Sequence, residues 1–335
     1  MRKFIPHIAV GLMLAFMLAF LGLLGPATGQ SPQLPSACAE LAFSTEEDFV
    51  TRGPAPPDGN LVISDGDLLG PNCIICARNL DLVGRFDVRV DLGLDAVDVI
   101  DVGSYLVAFS TELDSPNSGQ FTAGDLLVTN GTIIPNRALL APFQVPYDLG
   151  LDGLQFIGDA RSIRAFLAEA SKIPREEWLR NLGRLAGMLR QYNIDIWFST
   201  EGSLSIVGRP GFLDGDLLSA RDGVIVATNS ALLPASVPAG IPERGVDYGL
   251  DAIACDRSGN RQSIQFSTEI LYRGQPAFTD GDLLHYGNGV GRTNEELVRC
   301  FEPRAGFLGL DAISIGQRVE RETYLQLLLK LFRRR

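Results

Sequence analysis

Apolar residues alternate with other residues in four short stretches: Leu41 and Phe43, Val107 and Phe109, Ile196 and Phe198, and Ile264 and Phe266. That is the period of a half-buried strand. Each stretch runs into the same letters, Phe-Ser-Thr-Glu, at Phe43 to Glu46, Phe109 to Glu112, Phe198 to Glu201 and Phe266 to Glu269. Gly-Asp-Leu-Leu follows each copy, at Gly66 to Leu69, Gly124 to Leu127, Gly215 to Leu218 and Gly281 to Leu284. Asp precedes the glycine in three copies and Ala123 in the other. An Asp-Gly pair suits the positive φ of a tight turn, so each Leu-Leu is expected to open a returning strand. The unit closes with Leu92 to Ala96, Leu149 to Gly153, Tyr248 to Ala252 and Leu308 to Ala312, which share Gly-Leu-Asp and lead into further apolar residues such as Val97 and Val99 or Ile313 and Ile315.

Between these elements lie Val224 to Ala227 and its counterparts, then Asn136 to Leu140, Asn229 to Leu233 and Asn294 to Val298. These read as a fourth strand and one helical turn capped by Asn. The unit is therefore a four-stranded antiparallel sheet repeated four times. The fold class expected is all-β: a four-bladed β-propeller over residues 38–316, with repeats at about 38–96, 97–153, 154–252 and 253–316. The ordered chain begins on a Phe-Ser-Thr-Glu strand and ends on a Leu-Asp-Ala strand, so the C-terminal strand is expected to complete the first blade and close the ring.

Four units, each opened by an Asp-Ala strand and left through a short helical turn, resemble the hemopexin-type four-bladed propeller. The resemblance covers strand order from about Cys38 to Ile315, and its shared letters are Asp95-Ala96, Asp251-Ala252 and Asp311-Ala312. Asp152-Gly153 departs from it, and Phe-Ser-Thr-Glu and Gly-Asp-Leu-Leu are not motifs of that family. It implies an architecture and no activity.

Two segments stand outside the repeat. The second and third Phe-Ser-Thr-Glu copies are 89 residues apart, against 66 and 68 for the other neighbours. The excess is helical in pattern. Ile163, Phe166, Leu167 and Ala170 share one face, and Pro174 opens a second helix with Trp178, Leu182, Leu185 and Leu189 on one face. Residues 159–192 hold seven Arg or Lys against four Asp or Glu. This insertion, 160–192, reads as a helical hairpin covering one side of the propeller or, as the alternative, a lid or partner-binding element, and its removal is expected to leave a folded propeller. After Gly316, residues 317–335 read as an amphipathic helix with a basic end, too short in apolar character to span a bilayer.

At the other end, Arg2 and Lys3 precede an apolar run from Ile8 to Leu24 and the small residues around Ala27 and Gly29, the order of a signal peptide over 1–29. Residues 30–37 follow as a linker. An uncleaved anchor is the competing reading, and membrane contact is expected only through that segment or the C-terminal helix. Cleavage would remove two positive charges and take the net charge from −11 to −13. So acidic a chain repels nucleic acid. An exported chain with Cys38, Cys73, Cys76, Cys255 and Cys300 is expected to hold disulfides, Cys255 with Cys300 and Cys38 with Cys73 or Cys76 being nearest in sequence.

Catalytic signals are sparse. The one histidine after the signal, His285, reads as a surface residue, and Gly287 to Gly291 lacks the strand-to-helix setting of a phosphate loop. The function expected is a binding module for a protein or glycan partner. The alternatives are a structural cell-envelope component and, third, a glycan-active enzyme using paired carboxylates. One cofactor is expected. Asp95, Asp152, Asp251 and Asp311 begin the innermost strands, and four like charges gathered there call for a hard cation, Ca²⁺. The alternative is that each aspartate turns aside to bond a backbone N–H.

Overall fold

A computed structural model describes residues 33–204 and 211–316. The signal peptide, the start of the linker and the C-terminal helix expected from the sequence lie outside the described residues. Each repeat forms one four-stranded antiparallel sheet. Sheet I takes its inner strand from the C-terminal end: Ile313–Ile315 pairs with Leu41–Phe43, followed by Leu68–Gly70 and Ile74–Ala77. Sheet II runs Val97–Asp101, Leu106–Phe109, Leu126–Val128, Thr132–Ile134. Sheet III runs Leu154–Ile157, Asp195–Phe198, Leu217–Ser219, Ile225–Ala227, and sheet IV runs Ile253–Ala254, Gln265–Phe266, Leu283–His285, Val290–Arg292. A separate hairpin pairs Phe49–Val50 with Val62–Ile63.

This corrects the expected fold class. The structure is not an all-β four-bladed propeller: it has five separate small antiparallel sheets, none closed or curled on itself, mixed with helices. The reason lies in the hydrogen bonding. The strands, two to five residues long, pair only within one four-stranded sheet or the separate hairpin, and what joins one sheet to the next is apolar packing and hydrogen bonds such as that from the Val99 N–H to the Ser314 hydroxyl. The inner strand of sheet II touches those of sheets I and III, and the inner strand of sheet IV touches those same two. Four apolar clusters fill the spaces between neighbouring sheets; Phe109 of sheet II, for example, packs with Ala42 and Leu68 of sheet I. Both faces of a sheet are thus covered. That is why Leu41, Ala42 and Phe43 are all buried where alternation predicts one wet face.

A second correction concerns the turn glycines. Gly66, Gly124, Gly215 and Gly281 do not carry positive φ. They are small because a side chain would collide with Asn79 and Asp91, with Asp148, with Asn229 and Asp247, and with Asn294. The following aspartates, Asp67, Asp125, Asp216 and Asp282, each accept two backbone N–H groups. One comes from the turn, at Ser64, Thr122, Leu213 and Thr279; the other opens the next helix, at Asn79, Asn136, Asn229 and Asn294. Those asparagines are not N-caps, since Arg78, Pro135, Thr228 and Thr293 hold that position. Each is a fully buried bridge. Its side-chain oxygen accepts from the N–H of Leu92, Leu149, Tyr248 or Leu308, the residue three before an inner-strand aspartate.

The insertion forms three helices rather than a hairpin of two: Ala160–Ala170, capped by the Asp159 carboxylate, then Arg175–Arg180 and Arg184–Tyr192, separated at Asn181 by non-helical backbone. It is not an appendage. Ile163, Phe166, Trp178, Leu185 and Leu189 are fully buried in the cluster that holds Leu126 of sheet II and Phe156 of sheet III. Arg175 also pairs with the buried Asp125 at 2.5 Å. Sequence spacing placed these helices outside the core because an insertion between complete repeat elements carries no mark of what it covers.

Two cysteine pairs lie at disulfide distance, Cys38 with Cys76 and Cys73 with Cys300, with Cα separations of 5.9 and 5.5 Å. The second replaces the expected Cys255–Cys300 pair and staples the first repeat to the last; Cys255 is a buried free thiol. Such pairs fit an extracellular, oxidising environment. Among the described residues no helix is long and apolar enough to cross a membrane.

Two outcomes follow. Trp178→Ala should cost about 3–5 kcal/mol in urea unfolding, the loss expected for truncating a fully buried aromatic; a loss under about 1 kcal/mol would place the insertion outside the core after all. Peptide mapping of the unreduced protein should recover Cys38 linked to Cys76, Cys73 linked to Cys300, and Cys255 alone.

Candidate functional site: a junction of carboxylates

Each inner strand is preceded by its aspartate, and the contacts among inner strands bring the four together. Asp95, Asp152, Asp251 and Asp311 are all buried, at 7, 3, 6 and 7 % exposure. Each has its carboxyl pushed well above the ordinary carboxylate range, first by burial and then by neighbouring acids. For Asp95 the leading neighbour is Asp152, for Asp251 it is Asp311, and for Asp311 it is Asp95.

The glutamates of Phe-Ser-Thr-Glu complete the site, and sequence reasoning missed them by treating that motif as a strand marker. Their position follows from the segment around them. The threonine hydroxyl donates to a carbonyl two residues on, from Thr45 to Glu47, Thr111 to Leu113, Thr200 to Gly202 and Thr268 to Ile270, which turns the chain sharply after the strand. The glutamate side chain then lies against the glycine of its own sheet's Gly-Leu-Asp: Glu112 on Gly93, Glu201 on Gly150, Glu269 on Gly249 and Glu46 on Gly309. Any side chain at those glycines would overlap the carboxylate. Burial and neighbouring acids raise all four glutamates, Glu46 and Glu269 to about 7. The signal was present in the sequence: a glutamate in the same place in all four copies, three residues beyond a buried phenylalanine.

Serine of the same motif joins adjacent sheets at this level. Ser44 donates to the Leu94 carbonyl, Ser110 to Leu151 and Ser267 to Leu310, each the residue before an inner-strand aspartate of the next sheet. The third copy breaks the pattern. At Gly153, where other units have alanine, the Ser199 hydroxyl stands where a Cβ would be, and it has no hydrogen-bond partner.

Of the four expected metal ligands, the structure brings Asp95 and Asp152 together with Glu201, their carboxylate oxygens all within 4.8 Å of one another. Asp251 and Asp311 stand outside that trio. Asp251 receives a long bond from Ser267, at 3.5 Å, and Asp311 meets Glu112 carboxyl to carboxyl, which needs a proton between them. Both oxygens of Asp152, and one each of Asp95 and Asp311, are buried without any partner. Among the described residues no backbone N–H reaches these four carboxylates, and none of the eight acids forms an ion pair with Arg, Lys or His.

The other residues singled out by sequence are elsewhere. His285 is exposed on sheet IV. Two further acids, Asp159 and Asp195, border a cleft beside sheet III and are held by backbone amides, Asp159 capping a helix and Asp195 fixing the turn at Arg221. No family model matches the chain, and no curated protein or solved structure is detectably similar to it.

The raised carboxyls set a pH dependence. An acid whose folded-state pKa exceeds its unfolded value near 4 binds its proton more tightly when folded, so its contribution is fully present below about pH 4 and is lost as pH rises through the folded value. For Glu46 and Glu269 that loss is centred near 7. Metal-free protein should therefore melt at progressively lower temperature from pH 5 to pH 8. A melting temperature that is flat or rising over that range in chelator would contradict the clustering of these acids.

Proposed function

We propose that the chain is an exported binding module whose inner strands are held together by a hard divalent cation, Ca²⁺, at Asp95, Asp152 and Glu201, with Asp251 and Asp311 adding charge at the same junction. The observation that carries this reading is a contrast inside one molecule. Aspartates that serve the backbone are recognisable here: Asp67, Asp125, Asp216 and Asp282 each accept two backbone amides. The inner-strand aspartates accept none, yet are as deeply buried.

Oxygen-only donors without His or Cys suit a hard ion, and calcium, with 6–8 oxygens in flexible geometry, tolerates an uneven set of carboxylates better than magnesium does. The cation supplies positive charge that no Arg, Lys or His among the described residues brings to these acids. The four glutamates are more accessible than the four aspartates at this junction, so an ion can exchange with solvent past them. Disulfide pairing supports export, the compartment where millimolar calcium is available.

The test is thermal unfolding with Asp152→Asn as comparator. Calcium should raise the melting temperature of the native protein with the logarithm of its concentration, by about 2.7 kcal/mol of stability at a hundredfold excess over Kd, and chelator should reverse it. Asp152→Asn should do two opposite things: raise stability in chelator at pH 8, by removing a buried charge, and abolish the calcium shift. Protein shown to be metal-free that melts identically in calcium and in chelator overturns the reading.

A further inference from the structure

The repeat makes one site; the break in the repeat makes another. Where the insertion leaves and rejoins sheet III, a cleft of about 590 Å³ opens between that sheet and the Asp256–Asn260 loop after the inner strand of sheet IV. Its walls are non-repeated residues: Asp159 and Asn193 from the ends of the insertion, Trp197 from sheet III, Arg221 from the turn beyond it, and Arg257 and Gly259 from the loop.

The walls are rigid. Arg257 makes a two-pronged pair with the buried Asp98 of sheet II, at 2.9 and 2.8 Å, and also donates to the carbonyls of Phe156 and Val99. Asp195 accepts from the N–H groups of Ile196 and Arg221 and from the Ser219 hydroxyl. Gly259, at φ +74°, lies against the six-membered ring of Trp197. A side chain there would press on the indole and narrow the cleft.

Several polar groups in this frame remain unspent. The Trp197 indole N–H and the Asn193 side-chain amide have no partner among the described residues. Arg221 uses one N–H on each terminal nitrogen, towards Ile194 and Asp222, and keeps the other. Asp159 uses one carboxylate oxygen to cap its helix and leaves the second free. These free donors and this free acceptor line one cleft with Trp197, which is 8 % exposed. Among the lining residues two arginines balance two aspartates, so neither an anion nor a cation is favoured.

We infer that this cleft binds a neutral saccharide of one or two sugar units. Hydroxyl groups that both donate and accept match the unspent groups. The volume lies within the range of small-ligand sites, and an indole presents an apolar edge with a polar N–H, suited to the C–H face and hydroxyls of a sugar. The inference extends the binding-module reading and does not rest on the cation.

The chain has two tryptophans, so a ¹⁵N spectrum shows two indole N–H signals, and Trp178 is fully buried in the core. Titration with glucose, galactose, N-acetylglucosamine, lactose and cellobiose, in calcium and again in chelator, should move the Trp197 signal for at least one sugar and leave that of Trp178 in place. Trp197→Phe assigns the signals. Asn193→Gly keeps the positive φ of 52° at that residue while removing the amide; it should weaken binding about five- to tenfold with the melting temperature unchanged. No movement with any of the five sugars, or movement with sulfate or spermidine instead, overturns the inference. Sugar binding that persists while calcium has no effect on melting would sink the cation proposal alone.

Discussion

Four aspartates removed from water in one place repel one another and lose hydration, and among the described residues no positive side chain pairs with them. Everything around the junction must hold those carboxylates where electrostatics would drive them apart. The holding elements are repeated four times. A buried asparagine fixes the backbone three residues before each aspartate, and a serine from the neighbouring sheet fixes the carbonyl one residue before it in three of the four units. The rigid backbone removes the simplest escape, in which each acid swings away to find an amide of its own. What remains is protonation or a cation, and the two are linked. Conditions that keep the acids charged are those in which a cation contributes most.

The same network explains the limits on sheet size. Strands this short cannot bury enough surface alone, and a hydrogen-bonded ladder that stops at each unit leaves the contact between sheets to side chains. The four apolar clusters supply that contact on both faces of the sheets. Cys73–Cys300 adds a covalent link between the first and last repeats to the pairing of Ile313–Ile315 with Leu41–Phe43 and the hydrogen bonds from Thr51 and Arg52 to Phe301 and Glu302.

Much of this was legible in the sequence, and the failures have physical causes. The recurrence of Phe-Ser-Thr-Glu, Gly-Asp-Leu-Leu and Gly-Leu-Asp marks the strands and their order within a unit, because a repeated fold imposes the same local constraints each time. How the units assemble is not written in those letters. The step from four sheets to one closed all-β propeller treated the insertion as peripheral, whereas Trp178 and its neighbours belong to the core. The aspartates were found by their place at the start of inner strands. The glutamates were not, because their partner is an absence, the missing Cβ of Gly93, Gly150, Gly249 and Gly309. Cys255 lies closer in sequence to Cys300 than Cys73 does, yet it is buried beside the Asp98 and Arg257 pair and out of reach.

A fourfold scaffold would be expected to present four equivalent carboxylates, but the trio that meets is Asp95, Asp152 and Glu201. Two of its members come from the unit that departs from the repeat. There, glycine replaces alanine at 153, Ser199 loses its bond to the next sheet, and both oxygens of Asp152 stand unpaired. The same unit carries the insertion and, through Trp197 and Asn193, the polar cleft. Repetition brings the strands to a common junction, and departure from repetition is what makes one position there chemically different from the other three. A substitution that restored the repeat at Gly153 would place a Cβ on the Ser199 hydroxyl and push it toward the interunit bond that Ser44, Ser110 and Ser267 make. The sheets would gain a contact, and the junction would lose the asymmetry that sets the Asp152 position apart from the other three.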